Sequence, residues 1–73
     1  MYKFEFYVPV EHAEKVKSAM FAAGGGRIGD YDRCCWETLG TGQFRPLENA
    51  DPFIGKTGEV ETVQELKIEM VCD

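Results

Sequence analysis

An α+β fold follows from three features of this 73-residue sequence: a strictly alternating run near the N-terminus, one stretch of helical period after it, and a long alternating run at the other end. In Tyr2–Val8, Tyr2, Phe4, Phe6 and Val8 fall on one face and Lys3, Glu5 and Tyr7 on the other, the two-residue period of a half-buried strand. In Glu11–Ala23, Ala13, Val16, Ala19, Met20 and Ala23 form one apolar stripe. Towards the C-terminus Leu66, Ile68, Met70 and Cys72 alternate with Lys67 and Glu69.

Each element has local reasons. Aromatic and β-branched side chains favour the first strand, and Pro9, which lacks a backbone donor, ends it. Glu11 and Glu14 suit the positive end of the helix, although no Ser, Thr, Asp or Asn stands there as a cap. Gly24 follows the last apolar position and predicts a left-handed helix stop. Cys34–Leu39 and Gln43–Pro46 read as two strands joined by a hairpin turn at Gly40-Thr41-Gly42, with Trp36 and Thr38 on one face and Glu37 and Leu39 on the other. Leu47–Gly58 is irregular, and Phe53 and Ile54 are expected to pin it to the body or to a neighbouring chain. Val60–Cys72 reads as a long strand needing partners on both edges. Val63 and Leu66 have opposite parity, which predicts a bulge near Gln64. The chain reads as a single domain over 1–73.

Composition excludes several roles. A net charge of −5, with the basic residues scattered, argues against nucleic acid. No apolar run is long enough for a signal peptide or a membrane span, so a cytoplasmic, non-membrane chain is expected. Cys34, Cys35 and Cys72 are odd in number and two are adjacent, which predicts reduced thiols used as small buried apolar residues. One histidine and no Cys-x-x-Cys spacing predict no metal and no cofactor. His12 has no recognisable nucleophile to serve and reads as an exposed helix residue.

Gly24-Gly25-Gly26-Arg27-Ile28-Gly29-Asp30-Tyr31-Asp32 follows a helix and leads into a strand, the reverse of a phosphate-binding loop, so a helix exit and tight turn is the favoured reading. Together with Gly40-Thr41-Gly42-Gln43-Phe44-Arg45-Pro46-Leu47 and Asn49-Ala50-Asp51-Pro52-Phe53-Ile54-Gly55, it resembles the NGG-one-interacting-factor-three-like (YqfO-like) family, the type 2 homologues of GTP cyclohydrolase I. The resemblance covers nearly the whole chain. It implies the PII-like or CutA-like insertion domain of those proteins as a stand-alone chain: a ferredoxin-like antiparallel sheet with one helix, C-terminally truncated, without the second helix and last strand of relatives. The family's metal ligands lie in a flanking domain, so no hydrolase role carries over.

The resemblance implies a non-enzymatic regulatory or scaffolding module that forms homo-oligomers, a trimer favoured over a dimer, with a small molecule or anion bound between subunits. A CutA-like metal-binding protein, or an accessory domain of a dinuclear-metal hydrolase-type protein, is the alternative. With one helix, the Phe4/Phe6/Ile68/Met70 face is expected to stay partly uncovered; leaving about 300 Å² of apolar surface wet forgoes roughly 7 kcal/mol. Candidate ligand-binding residues are Arg27, Asp30, Tyr31, Asp32, Trp36 and Arg45. Arg27 and Arg45 are expected to converge on an anion, with Trp36 or Tyr31 stacking on a ring. Pairing of Arg45 with Asp30 or Asp32, and Trp36 as core, is the competing and favoured explanation.

Overall fold

A computed structural model describes residues 1–72 of the chain. Strand β1 (Tyr2–Pro9) is followed by a 3-10 turn (Val10–His12) and helix α1 (Ala13–Ala22), then β2 (Trp36–Phe44) and β3 (Glu61–Cys72). The sheet order is β1-β3-β2, with both pairings antiparallel. The fold is α+β and ferredoxin-like. The long strand β3 has a partner on each edge, as its length requires.

The two periodicities set the core. Phe4, Phe6 and Val8 face the same side as their cross-strand partners Met70, Ile68 and Leu66. Helix α1 lays Ala13, Val16, Met20 and Phe21 over them. Ile68 is 0% exposed, and the buried hydrophobic set among the described residues is Val8, Ala13, Ile68 and Met70. Helix α1 thus covers Ile68 and Met70 while Phe4, Phe6 and Leu66 on the same face are only half-buried, so the Phe4/Phe6/Ile68/Met70 face is partly uncovered.

What stays open is the β2 half, where Leu39 is exposed, and the opposite face, which carries Tyr7, Trp36 and the Lys3, Glu5, Lys67 and Glu69 side chains. On that face Glu5 and Glu69 stand directly opposite each other, an unfavourable like-charge pair. Each is offset by a diagonal lysine, Lys3–Glu69 at 2.7 Å and Lys67–Glu5 at 3.2 Å. Beneath the helix, Lys17 ties α1 to the sheet by donating to Glu37 of β2 at 2.7 Å and to Glu14 at 3.1 Å.

Helix α1 ends in a Schellman motif. The Gly25 N–H donates to the Met20 carbonyl and the Gly24 N–H to that of Phe21, with Gly24 at φ +107°. The predicted left-handed stop is present.

Two predicted features are absent. Gly40-Thr41-Gly42 is not a turn: β2 runs unbroken through it, opposite Glu65, Gln64 and Val63. There is no bulge near Gln64 either, since the β2–β3 register is continuous from Trp36↔Glu69 to Phe44↔Glu61. A hairpin would have left Gln64 without the strand partner it has, Thr41, whose hydroxyl accepts from the Gln64 amide at 3.0 Å. Val63 lies on the face opposite to Leu66 and is half-buried there with Glu61 and Glu65, while Thr62 and Gln64 are exposed.

The result is a long molecule, 49 × 21 × 17 Å. Its radius of gyration is 15.4 Å, against about 11 Å for a compact chain of this length.

Candidate functional site

Past the helix stop, the glycine-rich loop is stitched to the sheet at one residue. The Gly26 N–H donates to the Val71 carbonyl at 2.7 Å and its carbonyl accepts from the Cys34 N–H at 2.8 Å. Gly26 has φ +80°, and a Cβ there would lie 3.0 Å from the Cys34 carbonyl oxygen and the Phe21 ring. From this anchor the chain makes a tight turn, with Ile28 and Tyr31 exchanging two backbone hydrogen bonds around Gly29-Asp30.

This loop creates two hollows at one end of the sheet. The first, about 360 Å³, lies between the loop and the helix-free face. Ile28, Trp36 and Val71 give it apolar walls, and the Lys3–Glu69 ion pair lies at its edge. Glu69, beside the Lys3 ammonium, has its pKa held below the usual carboxylate value, and that of Lys3 is raised by the same hydrogen bond. Cys34 and Cys35 also line this cleft. Cys35 is exposed and Cys34 and Cys72 are half-buried, so none of the three is the buried apolar residue expected.

The second hollow is polar and is formed by Arg27, Gly29, Asp30, Tyr31 and Asp32. Four of the six candidate residues, Arg27, Asp30, Tyr31 and Asp32, are thus brought together. Trp36 lies in the neighbouring cleft and is 59% exposed, so it is not core.

Arg45 is elsewhere. It follows the far end of β2, nine residues beyond Trp36, which is about 30 Å along a strand. Within one chain Arg27 and Arg45 therefore do not converge on an anion, and Arg45 does not pair with Asp30 or Asp32. Among the described residues neither arginine makes an ion pair. Arg45 lines a third hollow with Phe44, Pro46 and the loop around Phe53. A bond from the Gly58 N–H to the Pro46 carbonyl closes that loop at its base. Phe53, at its tip, is 101% exposed, so it does not pin the loop to the body.

Sequence reasoning missed Lys3, Ile28, Glu69 and Val71 as cleft residues. The available signal was the polar face of the first strand, which the register sets against that of β3. Among the described residues no group of three or more His, Cys, Asp or Glu side chains converges as a metal ion would require.

No protein-family model matches the chain. It is 48% identical over 70 residues to the GTP cyclohydrolase 1 type 2 homologue of Mycobacterium leprae, covering 96% of the chain and 18% of that relative. With the Bacillus subtilis homologue the identity is 46% over 69 residues, covering 94% of the chain and 18% of the relative. The fold superposes on the crystal structure of a Bacillus cereus protein related to NIF3 with a TM-score of 0.78 at 39% identity, over 96% of this chain and 17% of the other. Nearly the whole chain is thus similar to a segment of these NIF3-related proteins. The chain spans about a fifth of the length of the curated relatives it matches. Among the described residues no helix is long and apolar enough to cross a membrane.

Proposed function

We propose that this NIF3-related domain is a non-enzymatic assembly module, regulatory or scaffolding in role, whose copies cover the sheet surfaces that one chain leaves open. The observation that carries the reading is the imbalance between buried and exposed apolar side chains. Among the described residues the buried core is Val8, Ala13, Ile68 and Met70, while Tyr7, Trp36, Leu39 and Phe53 are exposed. Monomeric proteins rarely leave such surface uncovered. A trimer is favoured over a dimer by the resemblance to PII-like domains.

The polar hollow of Arg27, Asp30, Tyr31 and Asp32 is the proposed place for a small anion or polar ligand, next to a boundary between copies. Light scattering tests the assembly: a discrete mass of three protomers is expected, and a protomer mass at micromolar concentration contradicts it. Thermal-shift measurements with inorganic phosphate and nucleotides test the hollow; a rise in midpoint is expected, and no shift with any of them removes the ligand role.

A second reading, an accessory domain of a dinuclear-metal hydrolase-type protein, is supported by the share of the relatives' length that the chain spans. It predicts co-elution with a long family member, and separate elution contradicts it.

A further inference from the structure

We infer that the outer edge of β2 is where a second copy of this chain docks, β2 against β2, antiparallel about a two-fold axis at Gly40. The inference rests on the assembly reading and names one contact that would serve it. β2 closes one side of the sheet: its inner edge pairs with β3 along all 9 residues, and among the described residues no backbone group pairs with its outer edge. Folded proteins usually blunt such an edge with charged side chains, proline or a bulge. The opposite edge strand, β1, carries Lys3, Glu5 and Pro9. β2 has no lysine, no proline and no bulge, and Glu37 is its one charge. One edge of the sheet is guarded, and the other is left able to pair.

Self-pairing fits this strand. An axis through Gly40, its middle residue, keeps the whole strand in the ladder, and any other centre drops residues from the ends. It sets Trp36 opposite Phe44, Glu37 opposite Gln43, Thr38 opposite Gly42 and Leu39 opposite Thr41 of the adjoining copy. Aromatic rings then cap the contact at both ends, and no like charges meet. Arg45, the next residue, falls diagonal to Glu37 of the adjoining copy. Charge favours that neighbour. Lys17 holds one oxygen of Glu37, but it is shared with Glu14, so the three side chains keep a net negative charge. Arg45 is exposed and, among the described residues, makes no ion pair in its own chain. The joined sheet has six strands, three from each copy, where sheets commonly have about four to six. The contact is isologous and closes at two copies; on the proposed trimer it joins trimers in pairs as concentration rises.

Gly40 has no positive φ and nothing within 4 Å of an added carbon, so it takes a side chain without disturbing the fold. At the axis, residue 40 faces its own counterpart. With oxidised glutathione present, Gly40→Cys is expected to give a 40–40 disulfide between copies, identified by peptide mass, because directly opposed strand residues about 4.5–5.5 Å apart suit that bond. Thr38→Cys is the control. Residue 38 stands opposite residue 42, so its counterpart lies about 13 Å further along the strand, and little cross-linking is expected. Gly40→Lys sets two ammonium groups face to face and is expected to weaken pairing about tenfold or more, read by light scattering over a range of protomer concentrations. A 40–40 disulfide no more abundant than the 38–38 one, or pairing unchanged by Gly40→Lys, overturns the inference, and an assembled mass then leaves the assembly reading standing; an edge that serves a strand of a different protein would give this outcome. A solitary protomer at every concentration overturns both.

Discussion

Gly26→Ala tests how the glycine loop is held against the sheet. The substitution meets two obstacles. At φ +80° an L-residue is in the left-handed half of conformational space, which costs about 1–2 kcal/mol. Its Cβ would also lie 3.0 Å from a backbone carbonyl and from the Phe21 ring, so the loop must move. Movement loosens two short backbone hydrogen bonds, to Val71 and from Cys34, each worth roughly 0.5–1.5 kcal/mol. The expected destabilisation is about 2–4 kcal/mol, with loss of the Trp36 cleft. Gly29→Ala is the control: φ is +56° and nothing lies within 4 Å of the added carbon, so only the conformational cost of about 1–2 kcal/mol remains. Urea unfolding at one fixed protomer concentration reads both. Equal losses for the two variants would show that contact at Gly26 contributes nothing.

Three further outcomes are expected. Ile68→Ala removes the one fully buried large side chain and should cost about 2–5 kcal/mol in the same assay; a loss below 1 kcal/mol would mean the core lies elsewhere. Gly40→Ala should stabilise by about 0.4–1 kcal/mol, because Gly40 sits mid-strand without a positive φ and without neighbours within 4 Å; destabilisation would restore the hairpin turn. Donating to Glu37 and then to Glu14 raises the pKa of Lys17 above the ordinary lysine value of 10.5. Its stabilisation is thus complete below that value and is lost as pH rises through the raised one. Lys17→Met should therefore be less stable than the parent at neutral pH, with the gap narrowing in strong alkali; a gap independent of pH would contradict the ion-pair account.

The parts of the fold set by local alternation were legible in the sequence, and the parts set by pairing at a distance were not. Phe4 and Phe6, the Val16/Met20 stripe, the Gly24 stop and the long final strand all carry their period or turn chemistry on themselves. Gly40-Thr41-Gly42 looked like a turn because two glycines flank a threonine. Only the length of β3 shows that Val63–Glu65 are there to pair with them. That single misreading also displaced Arg45. A turn at 40–42 would have folded it back beside Trp36, whereas a continuous strand carries it to the other end of the molecule. Lys3 and Val71 reach the cleft through the β1–β3 register, and Gly26 binds Val71 across 45 residues of sequence, neither of which a local pattern contains. Trp36 is exposed for a related reason: an aromatic on an alternating strand is usually buried, and here no described residue covers the face it occupies.

The thermal unfolding midpoint, followed from low to high micromolar protomer concentration, bears most directly on whether copies supply the missing cover. A midpoint that climbs steadily with concentration is expected, because association stabilises only the folded form. A single cooperative transition at the same temperature across the whole range would contradict the account, since it would mean that Val8, Ala13, Ile68 and Met70 suffice to hold one chain folded alone.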